Sequence, residues 1–380
     1  MRPISVYIHI PFCRTKCLYC DFASVPANHD SVAAYVRALH TDAERQLASL
    51  ASQGRSLATL YIGGGTPTVV PPADLAALLT VCLNSMPVEP DIEVTVEANP
   101  GTVTRDTLAR LRDAGANRLS LGVQSLSDDL LQALGRTHTA TQAHQAITDA
   151  HAVGFSDLSA DLIYGIPGQS PDRFEADLRE LARRGLPHLS AYALTYEEGT
   201  PLRRARDAGR IAPMSEEDEA WCFARAGHVL AEYGLDRYEV SNFARPGAEC
   251  RHNLTYWRRG EYLGLGAAAH SFIAGRRWWN ARQHDDYVRC VTDGVSYQEG
   301  SEEITPENAW TEAIMLGLRL REGIALDTLE GPPGGTAEPP IWSKGYSLQQ
   351  RGLLELADGR LRLTTKGLLV ADAVTLELVS

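Results

Sequence analysis

The chain has 380 residues, 44 % of them hydrophobic, enough for one large domain and a smaller one with full cores. Its 48 acidic against 36 basic side chains leave a net charge of −12, which excludes bulk nucleic-acid binding, since that needs a basic face. The opening MRPISVYIHIPFC lacks the apolar core of a signal peptide, and the stretch LGLGAAAHSFIAG is too short for a membrane span and carries His270. Seven cysteines, an odd number, in such a chain point to a reducing cytosol. Cys82, Cys222, Cys250 and Cys290 are scattered, as buried reduced thiols usually are.

In chain order, the first predicted strand, SVYIHI, carries Tyr7 and His9 and runs into HIPFCRTKCLYCDF. Cys13, Cys17 and Cys20 there form a CxxxCxxC loop, short enough to wrap three thiolates around one iron–sulfur cluster. A [4Fe–4S] cube normally takes four cysteines, so three leave one iron open to bind something that reacts. A zinc site is the alternative, but zinc knuckles pair CxxC with a second ligand pair at fixed spacing, and none follows. The next strand, LATLYI, ends in GGGTP, where Gly64 and Gly65, followed by Thr66, let the backbone approach a ligand with no Cβ between. Later strands each bring one polar residue. Glu97 ends DIEVTVEAN, Gln124 ends RLSLGVQS, and Asp161 lies in DLSADLIYGIPG, with Arg136 in the loop after Gln124. HLSAYALT is the sixth strand.

Amphipathic helical stretches separate these strands. In one of them Ser170 can cap, Pro171 suits the first helical position, Gly185 can close the end, and Phe174, Leu178 and Leu181 share a face. A helix after each strand forces parallel neighbours through right-handed crossovers. Six units are too few for a closed eight-stranded barrel, so an α/β fold with a partial (β/α)6 barrel is expected, its open side able to admit a bulky substrate. Polar residues at strand C-terminal ends lie where barrel chemistry is found.

The organisation expected is a core over 1–200, a continuation over 201–299 that carries HNLTYW, and a tail domain over 300–380. The tail holds the helical segment ENAWTEAIMLGLRL, a loop GPPGGTAEPP, and an Asp358-Gly359 turn joining LLEL to LRL as a hairpin. Helices followed by a hairpin suggest a winged-helix-like mixed α/β module. Its 12 acidic and 7 basic residues argue against a DNA reader and for a lid or packing element.

Together these residues resemble the radical SAM proteins of the oxygen-independent coproporphyrinogen III oxidase-like family, over nearly the whole chain. The resemblance implies a [4Fe–4S] cluster on Cys13, Cys17 and Cys20, with S-adenosylmethionine (SAM) chelating the open iron. It implies that Gly64, Gly65 and Thr66 hold the methionine end, Arg136 its carboxylate and Asp161 the ribose hydroxyls. Glu97 and Gln124 would add polar contacts, and Tyr7 would lie beside the cluster and the sulfonium. The chemistry agrees: a zwitterion needs a carboxylate and a guanidinium at opposite ends, and a ribose diol suits a bidentate carboxylate.

Three departures separate the chain from the true dehydrogenases of that family. Phe22 stands where they carry a fourth cysteine, only 12 residues precede Cys13, and His252 to Trp257 read HNLTYW. The last is similar to the HNxxYW motif of the HemW haem chaperones. That resemblance implies haem as a ligand of His252, Tyr256 and Trp257, and acceptor haemoproteins as partners, membrane respiratory enzymes among them. It also implies an electron donor if SAM is cleaved, and a cytoplasmic protein that docks at the inner face of the membrane. Neutral imidazole is a common haem ligand, the two aromatics can stack on the macrocycle, and Arg251, Arg258 and Arg259 can meet propionates. The other reading of the motif is a structural histidine with two core aromatics. Cys250, His270 and His9 are weaker candidates. The catalytic alternatives on this scaffold are a coproporphyrinogen III dehydrogenase and a radical SAM methyltransferase.

Overall fold

The computed structural model describes residues 1–326 and 341–380, so the GPPGGTAEPP loop lies outside the described residues. Six strands, β1 (Arg2–Ile10), β2 (Arg55–Gly64), β3 (Val88–Ala98), β4 (Arg118–Gln124), β5 (Asp157–Tyr164) and β6 (His188–Ala193), lie side by side in chain order and all parallel. Helices α1 (His29–Ser52), α2 (Pro72–Asn84), α3 (Arg105–Asp113), α4 (Asp128–Ala133), α5 (Ala140–Ala152) and α6 (Pro171–Arg183) connect them. This is the partial (β/α)6 barrel of the sequence reading. In α6, Ser170 Oγ accepts from the N–H of Arg173, Phe174, Leu178 and Leu181 are buried, and Gly185 follows in the left-handed region at φ 78°.

The sheet does not stop at six strands. Tyr262–Leu265 adds to β1 in parallel, and His270–Ile273, Arg276–Asn280 and Gln298–Glu303 follow antiparallel. On the other edge Asn242–Ala244 pairs antiparallel with β6 and then with Asp236–Arg237. The apolar stretch LGLGAAAHS is broken into two strands, because the chain turns at Gly266, whose φ is 95°. A Cβ there would sit 2.4 Å from the Tyr35 hydroxyl and 2.7 Å from the His9 carbonyl oxygen, so only glycine fits. His270 therefore begins a strand. The division expected at residue 300 falls inside Gln298–Glu303, which pairs with the large sheet.

Beyond it a second core gathers Ile314, Leu318, Leu348, Leu354, Leu361, Val374 and Leu378. Over it lies a three-stranded sheet of Ile324–Ala325, Arg360–Leu363 and Leu354–Ala357. The hairpin between the last two turns at Asp358 and Gly359, both left-handed (φ 53° and 69°), as an Asp-Gly type I′ turn requires. Glu312 ties this region to the large sheet by ion pairs with Arg259 (3.2 Å) and Arg277 (2.8 Å). Among the described residues no helix is long and apolar enough to cross a membrane.

Candidate functional site

A cavity of about 470 Å³ opens at the C-terminal ends of the six parallel strands. Its lining includes Cys13, Cys17, Cys20, Gly64, Gly65, Thr66, Glu97, Gln124, Arg136 and Asp161. These come from five different strand ends and loops, brought to one hollow by the parallel topology.

The cysteine loop is held by backbone bonds made outside itself. The Leu18 N–H donates to Leu134 O (3.0 Å), the Leu202 N–H to Leu18 O (2.9 Å), and the Val25 N–H to Pro11 O (2.8 Å). All three thiols are free and partly exposed. The Arg136 guanidinium lies 3.5 Å from the Cys17 sulfur, and the Thr66 hydroxyl 3.6 Å from that of Cys13. Among the described residues no three His, Cys, Asp or Glu side chains gather tightly enough to hold a single ion. Three thiols on one loop at the cavity wall are a donor set that could give one thiolate to each of three irons.

The remaining wall fits a zwitterion. Arg136 Nη2 donates to Gly122 O (2.7 Å), but its Nε is buried without a partner, a situation that costs about 1–3 kcal/mol and that a ligand carboxylate would relieve. Asp161 accepts from Ser120 Oγ (3.4 Å), and burial raises its carboxyl above the ordinary range. Glu97 accepts from the Tyr61 hydroxyl (2.7 Å) and the Gly64 N–H (3.1 Å), and burial pushes it up to about 7. Gln124 is left-handed at φ 67°, where β4 slips register against β5. For a residue with a Cβ that conformation costs about 1–3 kcal/mol, and such strain concentrates at ligand sites.

Gly64 and Gly65 of GGGTP, which line the cavity, also meet a packing demand that the sequence did not reveal. A Cβ on Gly64, at φ 112°, would stand 2.6 Å from the His9 ring, and one on Gly65 would stand 2.6 Å from Phe12 O. They let β2 and the strand feeding the cysteine loop press together, whatever else approaches them.

Tyr7 is not on the cavity wall. Its hydroxyl donates to His9 Nδ1 (3.0 Å), and His9 Nε2 donates to Ala23 O (3.0 Å), so the two form a layer under the glycines. Nor are His252, Tyr256 and Trp257 on that wall. His252 is 1 % exposed. Its Nδ1 bonds the Thr59 hydroxyl (2.7 Å), its Nε2 bonds the Tyr256 hydroxyl (2.8 Å), and its ring stacks on Tyr61 at 5.0 Å. Burial lowers its pKa to about 3, so the ring is neutral. The expected open imidazole is thus replaced, in this conformation, by a buried one with both nitrogens engaged. The arginines expected near propionates are also engaged: Arg251 with Asp91 (2.7 Å), Arg258 with Glu322 (3.1 Å) and Arg259 with Glu312.

Glu93, which no motif singled out, organises this region. Its carboxylate accepts the N–H groups of Arg251 (2.8 Å) and His252 (2.9 Å) and the Cys250 thiol (3.5 Å), whose pKa burial raises. The available signal was alternation. Glu93, Thr95 and Glu97 share one face of β3, while Val94 and Val96 share the other. His270 is exposed and stacks on Trp279 at 5.8 Å, away from the cavity.

Known proteins share the sequence and the fold of this chain. The profile of the Radical SAM superfamily matches residues 7–181, and that of the HemN C-terminal domain matches residues 304–370. Heme chaperone HemW of Mycobacterium tuberculosis is 38 % identical over 374 residues, covering 98 % of this chain and 94 % of its own. The chain belongs to the HemW family. HemW of Escherichia coli is 40 % identical over 280 residues, covering 72 % of this chain and 71 % of its own. Among solved structures, coproporphyrinogen III oxidase (HemN) from Escherichia coli, a radical SAM enzyme, superposes with a TM-score of 0.84 at 22 % identity, covering 100 % of this chain and 90 % of that one. At that identity the likeness shows a shared fold. Within the HemW family, the matched radical SAM region contains every cavity residue named above.

Proposed function

We propose that this chain is a haem chaperone with a radical SAM core, which binds haem and passes it to acceptor haemoproteins from the cytoplasmic side of the membrane. The observation that carries the reading is the near full-length identity to haem chaperones, 38 % over 98 % of the chain. Cys13, Cys17 and Cys20 would hold a [4Fe–4S] cluster, which would supply an iron site for the methionine end of SAM. Arg136 meets the SAM carboxylate with the donor that now lacks a partner, Asp161 takes the ribose hydroxyls, and Glu97 and Gln124 line the polar wall between. Gly64, Gly65 and Thr66 form the edge against which the methionine end rests. Tyr7 supports that edge through His9. When bound, the cluster supplies the electron for reductive cleavage of SAM, and an external donor must then replace it.

Contact between haem and His252 would require Tyr256 to give up its 2.8 Å bond and the helix Arg251–Trp257 to open. Tyr256 and Trp257 would then turn towards the macrocycle. The test is a hemin titration of the cluster-reconstituted protein followed at the Soret band, then incubation with an apo-cytochrome. Saturable one-to-one binding with transfer supports the reading. Turnover of coproporphyrinogen III without hemin binding would replace it by the dehydrogenase, and a methylated product by the methyltransferase.

A further inference from the structure

The helix that carries HNLTYW lies off the cavity wall, yet a line of contacts joins it to one wall residue. Thr59, Tyr61 and Gly63 share a face of β2, and Glu93, Thr95 and Glu97 share a face of β3. The two rows run side by side, with Thr59 opposite Glu93 and Tyr61 opposite Thr95. At one end Glu93 accepts the N–H of His252 (2.9 Å), and the Thr59 hydroxyl meets the ring at Nδ1 (2.7 Å). The Tyr256 hydroxyl holds Nε2 (2.8 Å), so the imidazole is fixed at both nitrogens. Its face lies on Tyr61, with centroids 5.0 Å apart and planes 26° from parallel. Tyr7 flanks both rings, at 6.1 Å from Tyr61 and 6.3 Å from His252. The Tyr61 hydroxyl donates to Glu97 Oε1 (2.7 Å), and the Gly64 N–H donates to Oε2 (3.1 Å). A Cβ on Gly63 would sit 2.8 Å from the Tyr61 ring and 2.9 Å from the Glu97 carboxyl carbon, so ring and carboxylate press on one glycine. Of His252, Tyr61 and Glu97, Glu97 alone lines the cavity.

We propose that His252 is a positioning residue for the cofactor site: its ring fixes Tyr61, and Tyr61 fixes the Glu97 carboxylate on the wall that receives SAM. The inference rests on the SAM assignment above and is independent of any contact with haem. A glutamate side chain has several rotatable bonds, and ordering it costs entropy at the moment of binding unless partners hold it beforehand. Here two donors and a stacked ring remove that freedom before the cofactor arrives, and such preorganisation raises affinity without adding a contact. The buried imidazole is neutral, so it gives Tyr61 a flat surface without drawing the carboxylate off the wall. Thr59 and Tyr256 act one step further back, by holding the imidazole. The motif then serves the cavity from behind.

The experiment measures SAM affinity by calorimetry on cluster-reconstituted protein, with iron per chain and urea midpoint recorded for each variant. His252→Gln keeps groups that can bond Thr59 and Tyr256 but removes the stacking face, and should weaken SAM about fivefold. Tyr61→Phe keeps the ring and removes the hydroxyl, and should also weaken SAM about fivefold. Because His252 acts through that hydroxyl, the double variant should again lose about fivefold, where independent effects would multiply to about 25-fold. Leu178→Ala, buried on a helix that gives nothing to the cavity, should lower the urea midpoint and leave SAM affinity at the wild-type value. Unchanged affinity in His252→Gln, a multiplied loss in the double variant, or an equal loss in Leu178→Ala overturns the positioning role while the SAM site stands. If His252→Gln does not fold, Thr59→Val carries the test, since it leaves the ring and frees its Nδ1. Weakening by Thr59→Val that disappears in the Tyr61→Phe background supports the role, and unchanged affinity overturns it. Wild-type protein that holds its cluster and binds no SAM overturns the SAM assignment and the inference with it.

Discussion

Gly64→Ala tests the packing on which the cavity stands. The added methyl faces two separate penalties. At φ 112° a residue with a Cβ is held in a region that costs about 1–3 kcal/mol. The methyl would also sit 2.6 Å from Cε1 and Nδ1 of His9 and 3.1 Å from Ile10 O. The imidazole cannot withdraw without breaking its bonds to the Tyr7 hydroxyl and Ala23 O, each worth about 1 kcal/mol. The expected loss is therefore about 3–5 kcal/mol, read as the shift in urea midpoint of the apo-protein. His9→Ala in the same chain removes the obstructing ring, so the double variant should recover the steric share and retain only the backbone share. A loss below about 1 kcal/mol, or a loss unchanged by His9→Ala, would refute the argument that Gly64 is required by its neighbours.

Cys17→Ser should abolish the cluster, measured as iron per chain, while largely sparing hemin binding; equal loss of both would show that the two sites are one. Glu97, pushed up to about 7 by burial, retains its proton in the folded protein where the unfolded chain has lost it. Its contribution is full below the ordinary carboxylate pKa and is lost as pH rises through about 7, so Glu97→Gln should flatten the fall in denaturation midpoint across that window. Glu175 is the opposite case, held down to about 2 by its hydrogen bonds with Arg225 and Arg179. Its contribution is present above the ordinary value and lost as pH falls towards 2, so Glu175→Gln should cost about 1 kcal/mol at neutral pH after screening and almost nothing in strong acid. Glu93→Gln leaves a shape-matched amide under the helix Arg251–Trp257 but weakens two charge-assisted bonds; a stability loss of about 2 kcal/mol is expected, with cluster content unchanged.

The strands were legible because each is a short apolar run followed by an amphipathic stretch, and the parallel order follows from that alternation with little freedom. The cavity was legible because chemistry-bearing residues fall at strand ends. What the sequence concealed was contact between distant segments. The pattern GGGTP announces close approach but not what approaches, and His9 is 55 residues away from Gly64 along the chain. LGLGAAAHS reads as one apolar run because the bend at Gly266 is imposed by Tyr35 and His9, neither of them local. His252 looks like a ligand in isolation, since nothing in HNLTYW reveals that Thr59 and Glu93 meet it from β2 and β3.

The ties from Leu18 to Leu134 and Leu202 bear on what a cysteine substitution can change. They connect the middle of the cysteine loop to backbone on both sides of the barrel mouth, using peptide groups alone and no sulfur. The course of the loop across the hollow is therefore set by main-chain bonds that a change at any one of its three thiols leaves in place. A cysteine substitution here removes a sulfur and not the shape that presents it.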